Sequence, residues 1–93
     1  MSSMATVRIP TQLRTLSAGA AEVSVEGSTV GEVLAALEAT HPGFQARLFD
    51  DAGALRRFVN VFVADEDVRF ADGLQTPVDA GQTVSIIPAV AGG

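Results

Sequence analysis

The chain has 93 residues and a mass of 9.6 kDa, the length of one domain, and its six arginines against eleven carboxylates give a formal charge of −5. Hydrophobic residues make up 47%, enough to build a core, which excludes an acidic disordered tail. A net negative chain without a run of basic residues is a poor match for phosphate backbones, so nucleic acid is excluded as the expected partner.

There is no cysteine, which excludes a disulfide framework, a thiolate zinc site and a cysteine nucleophile. There is no lysine either; the cations are Arg8, Arg14, Arg47, Arg56, Arg57 and Arg69. Met1-Ser2-Ser3-Met4-Ala5-Thr6 has neither a charged leader nor an apolar stretch behind it. No apolar run approaches the ~18 residues that a bilayer demands. The expected location is the cytoplasm, with no membrane partner.

Ala5 to Pro10 alternates, with Val7 and Ile9 on one side and Thr6 and Arg8 on the other, the pattern of a half-buried strand. Pro10 ends it, because proline has no N–H for the ladder. Val23 and Val25 alternate with Glu22, Ser24 and Glu26 in a second strand, expected to pair antiparallel with the first. Thr29-Val30-Gly31-Glu32 fits a capping box. Val30, Val33, Leu34 and Leu37 follow at helical spacing as one apolar stripe. His41-Pro42-Gly43 stops that helix, and Phe44 with Leu48 predicts a short second helix or turn. Asp50 to Ala54 reads as a loop.

Phe58 to Val63 is a β-branched and aromatic run interrupted only by Asn60, the pattern of an interior strand. Asp65-Glu66-Asp67 reads as a charged turn, Val68-Arg69-Phe70 as a short strand, and Leu74 to Gln82 as a loop. Thr83 to Ile87 is the last strand, ended by Pro88. A right-handed crossover places this strand parallel to the first. One main helix on a mixed four- or five-stranded sheet is an α+β, β-grasp (ubiquitin-like) arrangement. The expected division is a body over 1–88 and a flexible tail over 89–93.

Little in the chain resembles catalytic machinery. His41 is the only histidine, and a helix-end position suits its partial charge better than catalysis does. Asp65, Glu66 and Asp67 read as a solvated hairpin tip rather than a cation site. No second histidine, cysteine or phosphate-binding glycine loop completes a site, so the expectation is a protein with no catalytic residue, no metal and no bound cofactor.

Chemical interest falls on Gly92-Gly93. Two glycines end a chain by chance about 0.5% of the time if glycine is ~7% of residues. Five residues extend to at most about 17 Å, far enough to carry a carboxylate into a partner's cleft while the body stays outside. Backbone without Cβ atoms passes a constriction and leaves the terminal carbonyl open from either side.

The stretch Ala80-Gly81-Gln82-Thr83-Val84-Ser85-Ile86-Ile87-Pro88-Ala89-Val90-Ala91-Gly92-Gly93 resembles the end of the ThiS/MoaD family of ubiquitin-like sulfur carrier proteins. Within that family, Arg57-Phe58-Val59-Asn60-Val61-Phe62-Val63 and Asp65-Glu66-Asp67-Val68-Arg69-Phe70 are most similar to the CysO branch, carriers of cysteine biosynthesis. The resemblance spans Ala5 to Gly93. It departs at Ala80-Gly81-Gln82-Thr83-Val84, where the family often has an acidic loop. The resemblance implies that Gly93 is adenylated by an adenylyltransferase of the MoeB/ThiF type with ATP and magnesium. Sulfide or a persulfide then converts it to a thiocarboxylate.

In the CysO branch the sulfur passes to a pyridoxal-phosphate cysteine synthase, and a metallopeptidase releases the product; related carriers feed other biosynthetic enzymes. Ala89, Val90, Ala91 and Gly92 are then the residues of tail recognition. Phe58, Phe62, Phe70, Ile86 and Pro88 are candidates for a partner surface, although core packing also accounts for each. The missing lysines and cysteines fit, because an activated chain end meets the nucleophiles of its own body at high effective concentration; a GC-rich genome would also deplete lysine. A ubiquitin-like modifier joined to protein lysines through Gly93 and a passive β-grasp binding module are the competing readings.

Overall fold

Alternating apolar and polar side chains build a five-stranded sheet in the computed structural model, which describes residues 4–57 and 59–88. The strands are β1 (Met4–Arg8), β2 (Glu22–Glu26), β3 (Val59–Val63), β4 (Glu66–Asp67) and β5 (Thr83–Pro88). Their order across the sheet is β2-β1-β5-β3-β4. The expected antiparallel β1–β2 pair is present, with Val7 opposite Val23. The last strand lies parallel to the first, with Val7 opposite Val84. On its other side β5 runs antiparallel to β3, with Asn60 opposite Ile87 and Val59 opposite Pro88.

Helix α1 (Val30–Thr40) covers one face of this sheet. Thr29 Oγ1 accepts from the Glu32 N–H at 3.2 Å, and the Glu32 carboxylate accepts from the Ser28 N–H at 2.8 Å. The capping residues are therefore those the sequence predicts, with the reciprocal bond displaced by one residue. Val30, Val33, Leu34 and Leu37 are all buried against Val7, Val25, Val61, Val84 and Ile86 in one core. Each such side chain contributes about 1.5–3 kcal/mol by leaving water, so this stripe fixes the helix on the sheet. Helix α2 (Phe44–Leu48) follows, with Phe44 and Leu48 buried. Its first turn is tied down by Glu38, whose carboxylate accepts from the Gly43 and Gln45 N–H groups.

Two details differ from the sequence reading. Val68–Phe70 is a 3-10 turn rather than a strand: the Asp67 carboxylate accepts from the Arg69 N–H at 2.8 Å, which caps the turn. On this edge of β3 the pairing is thus confined to Glu66 and Asp67, which lie inside the segment expected to be a turn. The turn itself is the pair Ala64-Asp65, at φ 50° and 73°, between the paired residues Val63 and Glu66. Two successive positive φ values match the right-handed twist of a hairpin, but each costs a residue with a Cβ about 1–2 kcal/mol. Replacing Asp65→Gly is expected to raise the urea midpoint, by about 0.5–1 kcal/mol in unfolding free energy after the entropy of glycine is subtracted.

Candidate functional site

The strand that leads to the chain end occupies the centre of the sheet. β5 is bracketed by β1 and β3, so the backbone of residues 83–88 is held on both sides. Where β5 finishes, three structures converge: the end of β1, the start of β3, and the 3-10 turn at Val68–Phe70. Arg69 links the last two, its Nη1 donating to Asn60 Oδ1 at 2.8 Å and its Nη2 to the Arg56 carbonyl at 2.6 Å. Asn60, the one polar residue of its strand, is therefore the acceptor that fixes Arg69 beside β5. On the opposite flank the Arg14 Nε donates to the Ile9 carbonyl at 3.1 Å. Arg8, Arg14, Ser85 and Ile87 help to line a cleft of about 560 Å³ there.

Parity along the strands sorts the expected surface residues. Val61, Val63, Val84 and Ile86 point toward α1 and are buried. Asn60, Phe62, Ser85 and Ile87 alternate with them and lie on the face that α1 does not cover. Ile86 is 2% exposed and packs in the core, so it is corrected from the partner surface to the interior. Ile87, overlooked in the sequence because it follows an equally apolar neighbour, is 49% exposed in its place. Phe62 is partly buried on the open face, with Ser85 opposite it. Phe70 is 87% exposed, an unusual position for a phenylalanine. Pro88 is placed only as backbone, opposite Val59. Phe58, Ala89, Val90, Ala91, Gly92 and Gly93 lie outside the described residues, and so do the expectations attached to them.

His41 sits at the C-terminal end of α1, its N–H donating to the Leu37 carbonyl at 2.7 Å. Among the described residues there is no cluster of histidine and carboxylate side chains that would hold a metal ion. No helix among them is long and apolar enough to cross a membrane.

Residues 7–93 match the model of the ThiS family. The sulfur carrier protein CysO of Mycobacterium tuberculosis (strain ATCC 25618 / H37Rv) is 51% identical over 90 residues, covering 95% of this chain and 97% of that protein. The chain belongs to the ThiS family. A chain from the crystal structure of the Amycolatopsis orientalis BexX/CysO complex superimposes with a TM-score of 0.90 at 49% identity, covering 96% of this chain and 99% of that one. The body is thus the ubiquitin-like β-grasp fold of the CysO proteins. Small archaeal modifier protein 3 of Haloferax volcanii is 43% identical over 68 residues, or 73% of each chain. This ThiS-family chain is a homologue of the CysO sulfur carriers, proteins that serve as substrates of other enzymes and are not enzymes themselves.

Proposed function

We propose that the chain carries sulfur as a thiocarboxylate on Gly93, made by an activating enzyme and spent in cysteine biosynthesis or a related sulfur-incorporation pathway such as that of thio-containing natural products. The observation that supports this most strongly is the joining of a CysO-like body, alike over 95% of the chain, to the ending Ala91-Gly92-Gly93. In this reading Ala89, Val90, Ala91 and Gly92 thread the partner's channel, and small side chains keep that passage narrow.

A free carboxylate is a poor electrophile, so activation comes first. In the partner, a Gly93 carboxylate oxygen attacks the α-phosphorus of magnesium-bound ATP and pyrophosphate leaves, giving an acyl adenylate. Hydrosulfide then attacks the acyl carbon. AMP departs with the electrons of the broken C–O bond, a proton passes to solvent, and the thiocarboxylate remains. The absence of lysine and cysteine spares the adenylate from attack by side-chain amines and thiols of the chain itself.

An adenylyltransferase of the MoeB/ThiF type is the activating partner, and a pyridoxal-phosphate cysteine synthase or another biosynthetic enzyme accepts the sulfur. A metallopeptidase completes the cysteine route, and the cytoplasm is the setting. The open sheet face with Phe62 and Ile87, flanked by Phe70, is the apolar surface on which such partners dock.

Intact mass spectrometry after incubation with ATP, magnesium, the activating enzyme and sulfide tests the proposal. The expected result is exchange of one oxygen for one sulfur at the chain end. The likeness to an archaeal modifier supports a second reading, attachment through Gly93 to lysines of other proteins, which would appear as isopeptide adducts. An unchanged mass, with partner binding intact after removal of Gly92 and Gly93, would instead show a passive binding module.

A further inference from the structure

The six arginines are scattered along the sequence, yet the topology gathers them at one end of the body. Arg8 lies opposite Ser85, on the β1 flank of β5. Arg14 is held beside it through the Ile9 carbonyl. On the β3 flank, Arg57 precedes Val59, the residue opposite Pro88. Arg69 reaches Asn60 and the Arg56 carbonyl, and Arg56 in turn donates to the Ala46 carbonyl at 3.2 Å, next to Arg47. Cations therefore stand on both sides of the strand from which the tail departs.

The carboxylates are distributed the other way. Asp65 turns the β3–β4 hairpin with Glu66 after it on the row of Val7, Asp72 and Asp79 lie in the loops before β5, Glu26 ends β2 and Glu32 opens α1, all away from the end of β5 where the tail departs. Five carboxylates share the arginine end, and four of them are engaged. Glu22 pairs with Arg8 Nε at 3.8 Å, Glu38 holds the start of α2, Asp50 accepts from the Ala52 and Ala54 N–H groups, and Asp67, on the row of Arg8, accepts from the Arg69 N–H. Among the side-chain carboxylates, which all lie within the described residues, none pairs with Arg14, Arg47, Arg56, Arg57 or Arg69. An acidic protein thus presents a cationic collar around the root of its tail.

We infer that this collar docks on a carboxylate-rich rim around the tail channel of the activating enzyme. The inference rests on the function proposed above and adds the chemistry of the partner's surface. β1 and β3 stand two strand spacings apart, roughly 10 Å across the sheet, and Arg57 lies several residues further toward the chain end than Arg8, a spread that suits several carboxylates along a rim better than one phosphate. A tail extended in a channel would also hold the reacting end too far away for the collar to serve the nucleotide. Five tail residues span up to about 17 Å when extended, farther than an arginine side chain. The acidic far end is repelled by the same rim, so the charge asymmetry turns the body tail-first during approach.

Steady-state adenylation of the full-length chain by its activating enzyme tests this, with KM for the carrier as readout. Arg8→Glu combined with Arg57→Glu is expected to raise that KM about tenfold or more with little change in kcat, and to flatten its rise between about 50 and 500 mM salt. Arg57→Lys, which keeps the charge, is expected to stay near the wild type. A thermal melt of each variant confirms folding. If wild-type carrier is adenylated but its KM ignores both salt and these substitutions, the collar is not a docking surface. If the variants raise KM for ATP instead, the arginines serve the nucleotide and the inference is overturned. A wild-type chain that is not adenylated by any activating enzyme overturns the underlying function, and the collar's role with it.

Discussion

Deleting Gly93 is expected to lower adenylation by at least about a hundredfold while leaving thermal unfolding unchanged. Removing one residue withdraws the carboxylate by up to about 3.6 Å from the phosphorus it must attack. In-line reaction needs the two atoms about 3–3.5 Å apart, and an error of 1 Å alone costs about a hundredfold. A body stopped at the rim of a channel cannot advance to make up the loss. The described core ends at Ile86, seven residues earlier, so its packing does not depend on the deleted residue. Pyrophosphate exchange measures the first effect and a melt the second. Full exchange activity in the deletion variant would remove Gly93 as the reacting residue.

The largest expected effect on stability comes from Phe44→Ala. Phe44 is fully buried and lies among the largest enclosed side chains. Its position is over-determined: Glu38 takes the adjacent N–H groups, and Gly43 turns the chain at φ 114°, where a Cβ would come within 2.9 Å of Leu16 Cδ2. With the backbone held in this way the site cannot collapse, and the cavity is expected to cost about 3–5 kcal/mol. A domain of this size has roughly 5–10 kcal/mol in total, so urea unfolding should start near zero denaturant. A loss under about 1 kcal/mol would mean that α2 repacks freely.

Much of this architecture was legible because local and tertiary signals agree. The capping box, the apolar stripe of α1 and the period-two strands each specify an element that the core then uses. The parallel place of β5 beside β1 is the one expected when a right-handed crossover returns the chain over the helix to its first strand. The failures share a cause, which is that side chains took over from backbone patterning. Val68-Arg69-Phe70 has the composition of a strand, but Asp67 caps it as a 3-10 turn and Arg69 ties it to Asn60. Ala64-Asp65 carries no glycine or asparagine to announce a turn with positive φ. Ile86 and Ile87 are chemically alike, and only the register against Val61 and Asn60 decides which one faces the helix. The arginine collar was hidden for a simpler reason: its members lie up to 61 positions apart in sequence, from Arg8 to Arg69, and meet only once the sheet is assembled.

The central place of β5 has a mechanical meaning. Tension applied to the end of the chain runs along the axis of this strand, in line with its parallel neighbour β1 and its antiparallel neighbour β3, and loads both ladders together in shear instead of opening them one bond at a time. An enzyme that grips and draws on the last residues therefore pulls on an anchored rope, and the knot behind it holds its shape while the line is taut.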